Sequence, residues 1–282
     1  MPMPSGDKPS RSERNIKRLA KRWIAGDTLQ QAFAKAKESN KVGIRGVINF
    51  LGEHAESVSK IKGTVGGYML LLDRIAEGKV QASVSVKPTQ LGMAIDKKLC
   101  EAGFTKLLDK ARKINAFIWI DMEKSEYTQT TLDLYKVLRS RYDNVGVTLQ
   151  AYLKRSNRDF DDLLAINGKV RLCKGAYKEN NNLIFGQHEQ VRKNYARLMQ
   201  SLFERGNNFA IATHDNNLIE KAKSLSKRYK RDFEFQFLMG VREKLEIKLV
   251  KEGFTVANYI PYGRNWFAYT IRRFSKNASH TK

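Results

Sequence analysis

The sequence predicts an α/β fold, a distorted (β/α)8 barrel of the triosephosphate-isomerase type preceded by N-terminal helices. Three observations predict it. Eight short apolar runs recur along the chain, amphipathic segments fall between them, and each run leads to a residue that can bind or titrate. The runs are Ile44–Leu51, Ala82–Val86, Phe117–Ile120, Gly146–Leu149, Val170–Cys173, Phe209–Ala212, Phe233–Phe237 and Thr255–Ile260. The helical stretches include Thr131–Tyr142, Asp159–Ile166, Glu189–Arg205, Leu218–Tyr229 and Val241–Glu252.

The elements come in order. From Ser12 the pattern is that of a basic amphipathic helix, with Ile16, Leu19, Ala20 and Trp23 on one face and Arg14, Lys17, Arg18, Lys21 and Arg22 on the other. Such a helix either packs on its own domain or lies on anionic lipid. Asp27 or Thr28 can cap a second helix running to about Ser39. The first apolar run contains Gly46 and Asn49 and also reads as helix; the later runs are read only as strands. The expected organisation is an N-terminal helical arm over 1–40, a barrel over 41–275 that ends in a substrate-clamping helix, and a flexible tail over 276–282.

Composition bounds the function. Of 282 residues, 41% are hydrophobic, enough for a large core, and no apolar run reaches membrane-spanning length. No apolar segment of secretory type opens the chain. Cys100 and Cys173 match no metal spacing and read as reduced thiols of an intracellular protein. The histidines, His54, His188, His214 and His280, also lack zinc spacing. There is no nucleophile elbow, phosphate loop or dinucleotide fingerprint; Gly63-Thr-Val-Gly66-Gly67 is too loose. The net charge of +23 calls for an anionic partner: nucleic acid, an acidic membrane surface, or an anionic substrate or cofactor.

Barrels of this kind do their chemistry at the C-terminal rim. The rim candidates are Glu53, Lys87, Asp121, Gln150, Arg171, His214, Gln236 and Tyr259. With Lys174, Arg272 and Arg273 the rim is rich in fixed positive charge, accompanied by Tyr177, Tyr259 and Tyr269. Such cations repel one another unless an anion is present, and a carboxylate substrate and a phosphate-bearing or electron-accepting cofactor both fit. A structural salt-bridge network would use the same residues. After Pro261 and Gly263 the chain reads as a helix on which Tyr269, Arg272 and Arg273 share one face. Two forked guanidiniums beside an aromatic ring can clamp a small carboxylate. A surface arginine pair beside a core tyrosine is the plainer reading of that spacing alone.

Taken together, these segments resemble the proline dehydrogenases. The resemblance rests on Arg171-Leu-Cys-Lys174-Gly175-Ala176-Tyr177, Ala212-Thr213-His214-Asp215, Phe233-Glu-Phe-Gln236-Phe-Leu238, Tyr259-Ile-Pro-Tyr-Gly and Tyr269-Thr-Ile-Arg272-Arg273. Leu51-Gly52-Glu53, Ser85-Val-Lys87, Asp121-Met-Glu123 and Gln150-Ala-Tyr152 follow the same family order, so residues 20–275 are covered. The resemblance implies a distorted (β/α)8 barrel that binds FAD rather than FMN. It implies oxidation of L-proline to Δ1-pyrroline-5-carboxylate, with hydride passing from ring C5 to flavin N5 and electrons then passing to a quinone.

By the same resemblance, Arg272, Arg273 and Lys87 hold the carboxylate, and Tyr177, Leu238, Tyr259 and Tyr269 wall the ring. Arg171 sits by flavin N5; Gln150, Lys174, Gly175, Thr213, His214 and Gln236 hold the cofactor. Glu53 pairs with Arg272 and Asp121 with Arg273 as a gate. No side chain is assigned as the amine base, and no metal is expected. The expected location is cytoplasmic, with peripheral contact to an anionic membrane and no nucleic acid.

Two departures stand out. Lys276 replaces an acid usual in the family, and Pro88 follows Lys87, where it can bend the strand end. Two other functions compete. One is a flavoenzyme of this fold acting on hydroxyproline or another cyclic imino acid. The other is a nucleic-acid binder using Lys221, Lys223, Lys227, Arg228, Lys230 and Arg231 around Tyr229.

Overall fold

Alternation decides the architecture. A computed structural model of the chain describes residues 22–267, 269 and 270. Among these residues, eight parallel strands close into a barrel in sequence order. They are β1 (Ile44–Phe50), β2 (Ala82–Val86), β3 (Ile118–Ile120), β4 (Val145–Gln150), β5 (Val170–Cys173), β6 (Phe209–Ala212), β7 (Phe233–Leu238) and β8 (Thr255–Tyr262). The longest pairing closes the ring, from Ile44 opposite Val256 to Phe50 opposite Tyr262. Gly46 lets Ala36 and Ala82 approach the first run closely: a Cβ there would meet their methyls at 3.2 and 3.3 Å. That run, open to helix in the sequence, is a strand.

Successive strand residues point to opposite faces. Ile48, Val84, Ile118, Val147, Leu172, Ile211, Phe235 and Val256 face outward into the main core, beneath the helices. The inner face is different. Val47, Trp119, Ala210 and Ala257 form a small separate cluster, with Phe117 and Tyr259 packed against it. Much of the rest of the interior is polar, including Asn49, Ser85, Thr148 and Arg171, all buried.

Helices α1 (Leu29–Asn40), α2 (Val58–Glu77), α3 (Lys97–Lys113), α4 (Ser125–Arg139), α5 (Ser156–Ala165), α6 (His188–Arg205), α7 (Asn216–Tyr229) and α8 (Glu243–Lys251) cover the outside. Thr28 caps α1 in a capping box with Gln31. This helix packs on both β1 and β8. It therefore takes the outer position that a helix following β8 would fill in a regular barrel. The chain after β8 turns instead at Gly263, whose φ of +122° favours glycine. The Gly263 N–H donates to the Gly26 carbonyl at 2.9 Å. Trp266 and Tyr269, helical beyond that turn, pack with Trp23, Ile24, Leu51 and Val241 above the C-terminal mouth.

Apart from Arg22 and Trp23, the basic amphipathic helix read from Ser12 lies outside the described residues, as do Arg272, Arg273 and Lys276. Two residues of the basic cluster on and just after α7 are tied into the fold. Lys223 pairs with Glu220 and Glu252, and Arg231 donates to the Phe203 and Glu204 carbonyls. Among the described residues, no helix is long and apolar enough to cross a membrane.

One buried polar pair lies outside the barrel. Glu246 of α8 is 1% exposed and accepts from Asn258 Nδ2 of β8 at 2.7 Å, while its other oxygen has no partner. Burial pushes its carboxyl up to about 7. The folded chain thus holds a proton that the unfolded chain releases near its ordinary value of 4.5. The stability this contributes is complete below pH 4.5 and is lost as pH rises to about 7. Glu246→Gln should therefore be more stable than the parent at pH 8, by roughly 2–3 kcal/mol, and close to it at pH 4.5. Urea titration at the two pH values checks this; an equal difference at both would refute it.

Candidate active site at the C-terminal mouth

Asp121, one residue past β3, organises the upper interior. Its Oδ1 accepts from Ser85 Oγ at 2.7 Å and from Arg171 Nη1 at 2.8 Å. Its Oδ2 accepts from Lys87 Nζ at 2.9 Å and from Tyr259 Oη at 2.7 Å. Lys87, Asp121 and Arg171 are each less than 10% exposed. Burial works to raise the Asp121 carboxyl, but the Lys87 and Arg171 charges and the Ser85 hydrogen bond outweigh it and hold it well below the usual range. Lys87 shows the mirror case. Burial works against its charge, and the Asp121 carboxylate more than restores it. Burial and Asp121 keep Tyr259 a neutral phenol.

The cluster holds two fixed cations and one carboxylate. Its net charge favours one further anion.

Arg171 is held on three sides. Its guanidinium stacks over Trp119 at 4.8 Å from the ring centre and faces Tyr259 at 5.8 Å. Nη1 also donates to Ser85 Oγ at 2.9 Å. Nε and Nη2, by contrast, are buried with no hydrogen-bond partner among the described residues. An orphaned buried donor is costly, so a preorganised one marks a place for an acceptor. Gln150 carries the complementary orphan: Nε2 donates to the Glu123 carbonyl at 2.8 Å, and Oε1 is buried without a partner.

Pro88 does not displace Lys87. β2 ends at Val86, and Pro88 opens a short 3-10 turn, Pro88–Leu91, that Lys87 precedes. Glu123 clamps this turn by accepting from Thr89 N and Oγ1 at 2.9 and 2.6 Å.

Other predicted residues lie around this centre. Glu53 accepts from Tyr177 Oη at 3.2 Å, joining the loops after β1 and β5. Asp215 caps α7 and binds Lys174 Nζ at 2.7 Å and Arg192 Nε at 3.0 Å. Thr213 Oγ1 accepts from Asp215 N at 3.2 Å. His214 Nε2 accepts from Leu238 N at 3.0 Å, which leaves the ring proton on Nδ1. Gly175 has a φ of +104°, and a Cβ there would lie 2.1 Å from the Tyr152 ring. Gln236 is buried and donates to Glu234.

The simple rule of strand ends needs adjusting. Arg171, Gln236 and Tyr259 sit inside β5, β7 and β8. Strands in a closed barrel are tilted and staggered, so one level of the interior is met at different positions along each.

Ser85, Trp119 and Thr148 are structural partners of this site that reading the rim alone misses. Each lies two residues before a rim candidate, Lys87, Asp121 or Gln150. The signal was strand alternation, carried one step down into the barrel.

Residues 32–282 match the family described as proline dehydrogenase. Proline dehydrogenase 2 of Bacillus subtilis (strain 168) is 34% identical, with 94% of this chain and 91% of the relative covered. The proline dehydrogenase of Deinococcus radiodurans is 32% identical, covering 92% and 86%. Among solved structures, proline utilization A from Bdellovibrio bacteriovorus superposes with a TM-score of 0.88 at 21% identity. That alignment covers 96% of this chain, which spans about a third of the larger protein (34%), and the likeness shows the fold.

The Asp121 cluster makes a stability prediction. Asp121→Ala leaves Lys87 and Arg171 buried without their shared carboxylate. Stability should fall by about 3–5 kcal/mol, read as a lower urea midpoint; an unchanged midpoint would show that the two cations are not held in place by this group.

Proposed function

We propose a division of labour for this mouth from one premise: the chain belongs to the proline dehydrogenase family and oxidises proline in proline catabolism. The family is flavin-dependent, and we take the flavin to be FAD. The observation that carries the reading is the buried pair of cations sharing Asp121, with unused N–H groups on Arg171. The residues present fit a flavin. An isoalloxazine edge offers carbonyl and ring-nitrogen acceptors for Arg171 Nε and Nη2, and the cofactor's ribityl hydroxyls are donors for Gln150 Oε1.

The flavin, when bound, supplies the acceptor for the hydride from proline C5. The chain's own groups do the rest. Lys87, with Arg272 and Arg273, holds the carboxylate, which provides most of the binding handle on so small a substrate. Tyr177, Leu238, Tyr259 and Tyr269 wall the ring and exclude water. Arg171, fixed from below by Trp119 and from the side by Asp121, needs no reorganisation to meet developing negative charge. Thr213, His214 and Gln236 contact the cofactor with Gln150, and Lys174 and Gly175 approach its phosphates. Glu53 pairs with Arg272 and Asp121 with Arg273, forming a gate that closes over substrate. Loss of hydride from C5 and of a proton from nitrogen leaves the C5=N bond of Δ1-pyrroline-5-carboxylate. A quinone takes the electrons onward, and the charge of +23 draws the protein to anionic lipid, where quinone resides.

Anaerobic addition of L-proline should bleach the visible absorption of the purified yellow protein; a colour indifferent to proline would refute the function. Arg272→Ala or Arg273→Ala should raise KM for proline on the order of 10²-fold with flavin retained, and an unchanged KM would remove the clamp. Arg171→Met should harm flavin binding or reduction more than proline affinity; the reverse ranking would reassign that residue. Sedimentation with liposomes should be stronger for anionic than for neutral lipid, and equal sedimentation would discard the membrane contact.

A further inference from the structure

Below the site, on the opposite face, the barrel is open. A cavity of about 690 Å³ occupies the N-terminal mouth, lined by Arg45, Phe117, Trp119, Lys169, Phe233 and Glu234 among others. Trp119 forms part of its roof, and the Arg171 guanidinium lies over the same ring. Together with Val47, Ala210 and Ala257 the indole makes an apolar floor under the reaction mouth. A polar connection passes it along β7. Glu234 and Gln236 are two residues apart and so share the inner face. Their strand neighbours in register are small, Ala210 and Thr255 beside Glu234, Ala212 and Ala257 beside Gln236. Gln236 Nε2 donates to Glu234 Oε1.

This contact fixes more than position. A primary amide has a donating end and an accepting end, which exchange on a half-turn of the last torsion. A carboxylate oxygen accepts, so Glu234 draws the NH2 end toward the N-terminal side and the carbonyl is left on the other branch. We propose that Glu234 is a positioning residue: by accepting from Gln236 on the N-terminal side, it turns the Gln236 carbonyl toward the reaction mouth as the acceptor for a flavin N–H.

The inference rests on the flavin reading above and adds a residue outside the mouth to it. Oxidised isoalloxazine carries its one N–H at N3, so an acceptor is the productive end of Gln236 and the NH2 end would set donor against donor. Burial, the largest influence, leaves the Glu234 carboxyl above its ordinary value, and the Gln236 hydrogen bond and the Arg45 and Arg171 charges offset part of that rise.

Flavin release and rebinding, followed by fluorescence quenching and by the visible spectrum of the reconstituted protein, tests this. Glu234→Leu should weaken flavin binding about tenfold and shift the visible band, with KM for proline at saturating flavin within about twofold of the parent. Glu234→Gln, which keeps an acceptor oxygen, should recover most of the affinity. In a Gln236→Leu background, Glu234→Leu should add nothing further, because its effect passes through the amide. If Glu234→Leu does not fold, Glu234→Ser carries the same cycle. Parental flavin affinity and spectrum in the Leu or Ser variant would overturn the proposal, as would an effect of equal size in the Gln236→Leu background. A parent protein that binds no flavin at all would overturn the cofactor reading itself, a separate outcome.

Discussion

Two buried cations share one buried carboxylate in the upper half of this barrel, and the reactive mouth depends on that sharing. Lys87 comes from the end of β2, Asp121 from the end of β3 and Arg171 from inside β5. None would be tolerated alone at that depth, because burial works against the charge of an isolated ion. Together they are charged and oriented before any ligand arrives. The cation excess is what makes the mouth receptive: a neutral cluster of the same size would be only a structural brace.

The surroundings show how the fold protects that arrangement. Trp119 and its small neighbours Ala210 and Ala257 separate it from the opening on the opposite face. Ser85 supplies a hydroxyl at 2.7 Å to Asp121, and Thr148 a longer contact at 3.4 Å to Arg171, for groups that no water would reach easily. The orphaned donors of Arg171 and the orphaned oxygen of Gln150 stand against this thoroughness. Unmatched buried atoms occur elsewhere too, as at Glu246 and Asn144, but those of Arg171 and Gln150 sit on the neighbouring strands β5 and β4 at the mouth and point to a missing partner.

Most of the architecture could be read from the chain. Strands β2, β5 and β6 fall where the apolar runs place them, because short β-rich runs between Gly, Asn and Asp leave little choice. The first strand was ambiguous because Gly46 and Asn49 are poor strand formers; the close approach of Ala36 and the bond from Asn49 Nδ2 to the Ser85 carbonyl explain why they are there. Helix starts were misplaced by several residues at α4, where Thr128 and Thr131 are buried on the face that the apolar pattern underweights. For the site, the rim residues were legible as types at strand ends. The joint grip of Lys87, Arg171, Ser85 and Tyr259 on Asp121 was not, since register between distant strands is a property of closure and not of any local segment.

The placement of α1 carries a consequence for how the molecule is made. The first described helix rests against the last described strand, β8, so two segments far apart in sequence meet. Its apolar face, with Ala32 and Ala36, is fully covered only when β8 docks beside β1. The ring is thus locked by a contact between segments far apart in sequence, a slow kind of contact to form because so much chain must be brought round first.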